Sequence, residues 1–133
     1  AGSDWGSRIQ LTTTFYAEYA KNYKAGNKIM AFDFKYEETV RDMQFWKINE
    51  AGNYGATPTL SGLVGNEVTL YKADGTACAY NDMEAGEWYT AKFDIASFGA
   101  LGEKTGEGAK CGFMMGCANT AIQFKNFKFE DKN

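Results

Sequence analysis

Two segments of this chain alternate large apolar and polar residues with a period of two, and that pattern narrows the possible folds more than any other feature. In Lys28–Tyr36, Met30, Phe32, Phe34 and Tyr36 alternate with Ala31, Asp33 and Lys35. In Trp88–Ile95, Tyr89, Ala91, Phe93 and Ile95 alternate with Trp88, Thr90, Lys92 and Asp94. Successive side chains on a strand point to opposite faces, so the first set in each segment faces a core and the second faces away.

Strand signals continue along the chain, and long helical periodicity is absent. Arg8–Tyr16 reads as a strand. Ala17–Lys24 reads as a short helical turn or as an extended continuation, closed by the turn Ala25-Gly26-Asn27. In Arg41–Ile48, Met43 and Phe45 share one side, while Asp42, Gln44 and Trp46 share the other. Asn49–Asn66 holds the only proline, Pro58, and reads as a long loop with room for a short strand near Leu60–Val64. Loops of that length are uncommon unless they serve a function. In Glu67–Lys72, Val68 and Leu70 oppose Glu67, Thr69 and Tyr71. Asp74-Gly75 then marks a hairpin turn, because this pair tolerates positive φ, and Thr76–Tyr80 returns. Gly99–Gly108 is a second glycine-rich loop. Lys110–Cys117 and Ala121–Glu130 read as the last strands. Strands at this spacing suggest an all-β sandwich or barrel. The 133 residues suit one domain, 1–133, with no internal repeat or boundary.

Composition removes several functions. The chain has no histidine, hence no Ser/His or Cys/His catalytic pairing, and a zinc site is not expected. A net charge of −3 and a pI near 5.0 argue against nucleic acid or an anionic membrane as a partner. No apolar run approaches the roughly 20 residues of a membrane span. Ala1-Gly2-Ser3-Asp4 does not read as a signal peptide, which leaves a leader already removed or a module cut from a longer chain. Cys78, Cys111 and Cys117 are read as three small buried hydrophobes, with one disulfide, Cys78 to Cys111 or Cys117, as the alternative.

Aromatic residues make up 16% of the chain, more than a small core usually needs, so some are expected at the surface. The alternation selects three of them: Trp46, Trp88 and Tyr71 fall on the polar sides of three separate strands. If those strands share a sheet, one face mixes planar rings with hydrogen-bonding groups. Such a face suits a sugar. A flat ring covers the C–H face of a pyranose, and polar side chains must satisfy its hydroxyls or desolvation costs too much. The expected ligand-binding set is Trp46 and Trp88 as stacking platforms, Tyr71 and the loop residue Tyr54 as extensions, and Gln44, Asp42, Thr90 and Lys92 as hydrogen-bonding partners. Asp33 and Lys35 are weaker candidates. The competing reading covers Trp46 or Trp88 with the 49–66 loop or the N-terminal segment, as a satellite core.

A family resemblance adds to this. Glu84-Ala85-Gly86-Glu87-Trp88-Tyr89-Thr90-Ala91-Lys92-Phe93-Asp94-Ile95 resembles the Gly-x-Trp strand of jelly-roll carbohydrate-binding modules. Leu70-Tyr71-Lys72-Ala73-Asp74-Gly75 resembles the hairpin before it. Ile122-Gln123-Phe124-Lys125-Asn126-Phe127-Lys128-Phe129-Glu130 resembles their last strand. The resemblance covers about residues 67–130 and is weak before them. It implies a two-sheet antiparallel β-sandwich of the jelly-roll kind. It also implies a secreted, extracellular, non-catalytic module of a bacterial plant-polysaccharide-degrading enzyme or cellulosome component, tethered to a catalytic or scaffold domain. The expected partner is a polysaccharide or oligosaccharide of β-glucan, xyloglucan or mannan type, with no cofactor. A structural calcium, as in many relatives, would draw on Asp4, Glu130 and Asp131, although no defined calcium loop is present. In the same motif the tryptophan is sometimes structural.

Three other functions compete. A glycosidase needs two carboxylates across a cleft, and no spacing singles out a pair among Asp33, Asp42, Glu67 and Asp94. A lipid-carrying barrel fits poorly with outward aromatics that alternate with charges. The strongest rival is a structural or adhesive sandwich domain of a surface protein with no glycan ligand.

Overall fold

A computed structural model describes residues 5–10, 13–48, 54–56, 58–99, 103–104, 110–111, 113–118 and 121–132, with side chains described over 17–45, 58–99 and 121–132. In chain order the elements are β1 (Trp5–Gln10), α1 (Thr13–Ala25), β2 (Lys28–Tyr36), β3 (Gln44–Ile48), β4 (Tyr54–Ala56), α2 (Leu60–Leu63), β5 (Val68–Lys72), β6 (Ala77–Cys78), β7 (Trp88–Asp94), α3 (Ile95–Phe98), β8 (Glu103–Lys104), β9 (Lys110–Cys111), β10 (Phe113–Ala118) and β11 (Ile122–Asp131). The protein is mostly β. Its centre is a five-stranded antiparallel sheet in the order β11-β2-β7-β5-β6.

The period-two alternation sets the register of that sheet. Met30 pairs with Phe93 and Phe93 with Val68; Phe32 pairs with Ala91 and Ala91 with Leu70. The apolar residues of three strands therefore form continuous rows on one face, and all of these side chains are buried. Ala91 is small where Phe32 and Leu70 flank it, so the rows interdigitate without crowding. Tyr36 and Tyr89 are also buried, and each hydroxyl finds a backbone partner. The Tyr36 hydroxyl donates to the Arg41 carbonyl at 2.6 Å, and the Tyr89 hydroxyl accepts from the Glu84 N–H at 2.6 Å.

A further set of antiparallel pairings runs β1-β10-β3-β4. Phe45 of β3 meets Phe93 of β7 edge to face, centroids 5.4 Å apart, and joins the same buried cluster as Met43.

Several elements differ from the sequence reading. Thr13–Tyr16, expected as strand, belongs to the 13-residue helix α1. Ala, Glu and Lys run through this segment, and their helix preference prevails once Tyr19 can be buried. The Tyr19 hydroxyl donates to the Gly99 carbonyl at 2.7 Å, tying α1 to the end of α3. Burial, reinforced by nearby Tyr23, pushes the Tyr19 phenol pKa well up. Gly26, at φ +85°, ends the helix where the turn was expected. The second difference is Leu60–Leu63, a single helical turn in place of a strand. Leu60 and Leu63 are buried, and the Asp42 carboxylate accepts the N–H and hydroxyl of Ser61. Cys78 is a buried free thiol, in keeping with its reading as a small buried hydrophobe, and the disulfide alternative does not apply to it. The side chains of Cys111 and Cys117 lie outside the described residues.

The Asp74-Gly75 turn joins β5 to β6. Asp74 Oδ1 accepts from the Thr76 N–H at 3.0 Å and the Thr76 hydroxyl at 2.7 Å, which holds the Asp74 carboxyl below its usual pKa. Gly75 sits at φ +90° with open space around a notional Cβ. Gly75→Ala therefore meets backbone strain alone, and is expected to cost about 1 kcal/mol in thermal or denaturant unfolding.

Candidate functional site

The five-stranded sheet turns its non-core face toward a row of residues that local alternation had set aside. Across β11, β2, β7 and β5 one row reads Lys125, Asp33, Thr90, Tyr71. The next reads Gln123, Lys35, Trp88. Trp88 and Tyr71 are diagonal cross-strand neighbours, a spacing of roughly 7–8 Å between backbones, and both are half-buried. The sequence-selected Trp88, Tyr71, Thr90 and Lys92 thus come together on one face.

The strands that carry Gln44, Trp46 and Tyr54 lie outside the five-stranded sheet. β3 pairs with β10 and β4, not with any strand of the five-stranded sheet. Gln44 and Asp42 are half-buried beside β3, and Asp42 is engaged by Ser61. The side chains of Trp46 and Tyr54 lie outside the described residues.

Asp33 organises the face. Its Oδ1 accepts the Thr90 hydroxyl at 2.6 Å and its Oδ2 accepts the Asn126 amide at 2.8 Å. Asn126 lies at φ +57°, where β11 carries a bulge between Lys125 and Lys128. The extra residue reverses the parity of the strand. Ile122 and Phe124 lie on the core side before it, and Phe127 stacks on the ring of Phe32 after it, at 5.3 Å and 7°. Phe127 keeps 37% of its surface exposed, and with Asn126 it lines a cleft of about 600 Å³ whose other walls include Ala31, Asp33, Tyr71, Thr90 and Lys92. The bulge was readable in principle: Phe124, Phe127 and Phe129 break the period of two, and Asn is the residue between them that best tolerates a left-handed backbone.

Two further depressions extend this cleft. One of about 480 Å³ shares Tyr71 and Lys92 with it and continues past Glu67, Asp94 and Glu130. Another of about 210 Å³ shares Lys72 and Ala73 and lies against Trp88, Asp82, Glu84 and Glu87. Cations cover the rings. Lys125 Nζ is 3.9 Å and Lys35 Nζ 5.3 Å from the centroid of Trp88, and Lys92 Nζ is 5.4 Å from that of Tyr71.

Ion pairs fix the far end. Lys92 bonds Glu130 at 2.9 Å, Lys132 bonds Asp94 at 2.6 Å, and Lys28 pairs with Asp131. The Lys92 hydrogen bond holds Glu130 below its usual 4.5, and the Lys132 hydrogen bond holds Asp94 below its usual 3.8. The Glu130 bond in turn raises Lys92. Carboxylates held low stabilise the fold above their unfolded-chain pKa, and that contribution is lost as pH falls through the folded value. The raised lysine acts in the opposite sense, its contribution fading only as pH rises past its folded value. The melting temperature is therefore expected to fall as pH drops from about 5 to 3, and Glu130→Gln should flatten that part of the curve. An equally steep fall in the variant would remove Glu130 from the account. These pairs also engage Glu130 and Asp131 as the structure stands. Among the described residues no three acidic or cysteine side chains cluster as metal ligands, and Asp4 lies outside them.

No protein-family model, curated protein or solved structure matches this chain, so the reading of this face rests on the residues that form it.

Proposed function

We propose that this domain binds a β-linked plant polysaccharide without cleaving it, on the non-core face of the five-stranded sheet. The observation that carries the reading is the juxtaposition of Trp88 and Tyr71, half-exposed on neighbouring strands, above connected clefts lined by hydrogen-bonding side chains. Tyr71 and Trp88 supply flat surfaces for sugar rings. Thr90, Lys92 and Asn126 supply donors and acceptors for hydroxyls. An open face of this kind accommodates the interior of a chain. The proposed platform does not draw on β3 and β4, the strands of Gln44, Trp46 and Tyr54, which pair elsewhere, or on Asp42, which is engaged by Ser61.

The proposal includes a two-sheet jelly-roll sandwich, with the β1-β10-β3-β4 strands as the second layer. The Phe45–Phe93 contact supports that arrangement. The motif resemblance supports a secreted module that holds an attached polysaccharide-degrading enzyme, or a cellulosome component, on its substrate.

One observation favours the rival, a structural or adhesive domain without a glycan: Lys35 and Lys125 already lie over the Trp88 ring. Affinity gel electrophoresis against soluble glucans, xyloglucan, mannan and xylan separates the two. Retardation by at least one polymer, lost in Tyr71→Ala and Trp88→Ala, is the expected result. Unchanged mobility in every gel would select the rival.

A further inference from the structure

Taking the polysaccharide platform as its premise, we propose that the bound chain is acidic: a β-linked polysaccharide carrying uronic-acid carboxylates, held by Lys35 and Lys125 where its ring meets Trp88. Several cations on and beside this sheet are paired. Lys28, Lys92, Lys128 and Lys132 each pair with Asp131, Glu130 or Asp94. Lys35 and Lys125 have no carboxylate within ion-pair distance among the described residues. Asp33 stands opposite Lys125 in the register, yet both of its oxygens are taken by Thr90 and Asn126. The ammonium groups of Lys35 and Lys125 converge instead on one ring, from two different strands, in a chain whose overall charge is −3.

This arrangement discriminates between sugars. A neutral ring that stacks on Trp88 must push the ammonium groups aside and returns only hydroxyl acceptors to them, with no opposite charge. A uronate ring displaces them equally but offsets the move, because its carboxylate accepts ion-paired hydrogen bonds from Lys35 and Lys125 beside the indole that its C–H face then covers. Direction follows from the remaining charges. Asp82, Glu84 and Glu87 outnumber Lys72 in the depression on one side of Trp88, so an anionic residue is steered away from them, toward the ammonium groups of Lys35 and Lys125.

The test uses the full chain and two polymers with one backbone: a glucuronate-substituted xylan, and the same xylan with its carboxyl groups reduced to alcohols. By isothermal titration or affinity electrophoresis at low salt, the acidic form is expected to bind about tenfold or more tighter than the reduced form. The difference should shrink as ionic strength rises from about 0.01 to 0.15 M, where the screening length falls from about 30 to 8 Å. Lys35→Ala with Lys125→Ala should bring the acidic polymer down to the level of the reduced one, whereas the double arginine variant should retain the preference. Equal binding of both polymers, or binding of neutral glycans alone, overturns the acidic specificity and leaves the platform standing. Failure to bind either xylan or any neutral glycan overturns both. The comparison of the two polymers on the parent protein needs no variant to fold.

Discussion

Phe93→Ala is expected to lower the melting temperature by about 10–20 °C, the largest stability effect of any single change in the five-stranded sheet. Phe93 is fully buried and is where several parts of the fold meet. Its ring contacts Phe32 of β2 at 5.7 Å, Phe45 of β3 at 5.4 Å and Phe98 of α3 at 5.0 Å, the last two edge to face. Truncation to alanine removes those contacts and leaves a cavity walled by rigid rings, which collapses poorly. Changes of this type cost about 3–5 kcal/mol, against a total stability of roughly 5–15 kcal/mol for a domain. Phe93→Leu keeps most of the volume and is expected to lose less than half as much. A calorimetric or circular-dichroism melt within about 3 °C of the parent for Phe93→Ala would mean that this ring does not hold β2, β3 and α3 together.

The second large effect is on binding. The double variant Tyr71→Ala, Trp88→Ala is expected to weaken polysaccharide affinity by about a hundredfold or more, since central aromatic anchors carry about 2 kcal/mol or more each. The two rings are diagonal neighbours that would contact one ligand, so the single losses are not expected to sum. Both residues are half-buried on the non-core face. Their removal forfeits cation–π contacts and cross-strand pairing worth about 1 kcal/mol apiece, and the melting temperature should move by only a few degrees. Titration calorimetry alongside a thermal melt reads both quantities. A folded double variant with undiminished affinity would put the ligand elsewhere, and the β3 face with Trp46 would be examined next. Unfolding of each single variant would make Tyr71 and Trp88 structural residues.

Much of the five-stranded sheet was legible along the chain because strand parity is a local property. Lys28–Tyr36 declares its buried side through its own alternation, and β2 spans those residues. Val68 and Leu70 follow the same rule on β5, as do Tyr89, Ala91 and Phe93 on β7. The hairpin at Asp74-Gly75 was equally local, set by which residues accept positive φ. α1 was legible only as an alternative, because a polar, alanine-containing segment with few buried residues carries a weak helical signal. Its commitment to helix goes with the burial of Tyr19 against Gly99, 80 residues away.

What the sequence by itself determined is the face on which β2, β5 and β7 place their side chains, and with it the membership of Tyr71, Trp88, Thr90 and Lys92 in an outward, mixed aromatic and polar set. Only the tertiary structure decided which of those outward faces adjoin. It placed β5 beside β7 and sent β3 to β10, which separates the strand of Trp46 from the platform that Trp88 and Tyr71 form. It also brought Asn126 to Asp33 across 93 residues, and Lys35 and Lys125 to one indole ring. The physical reason is the range of the interactions. Alternation and turn chemistry act within a few residues. Strand order and the partners of a polar side chain depend on contacts between distant segments, settled only when the apolar rows of β2, β7 and β5 are buried together.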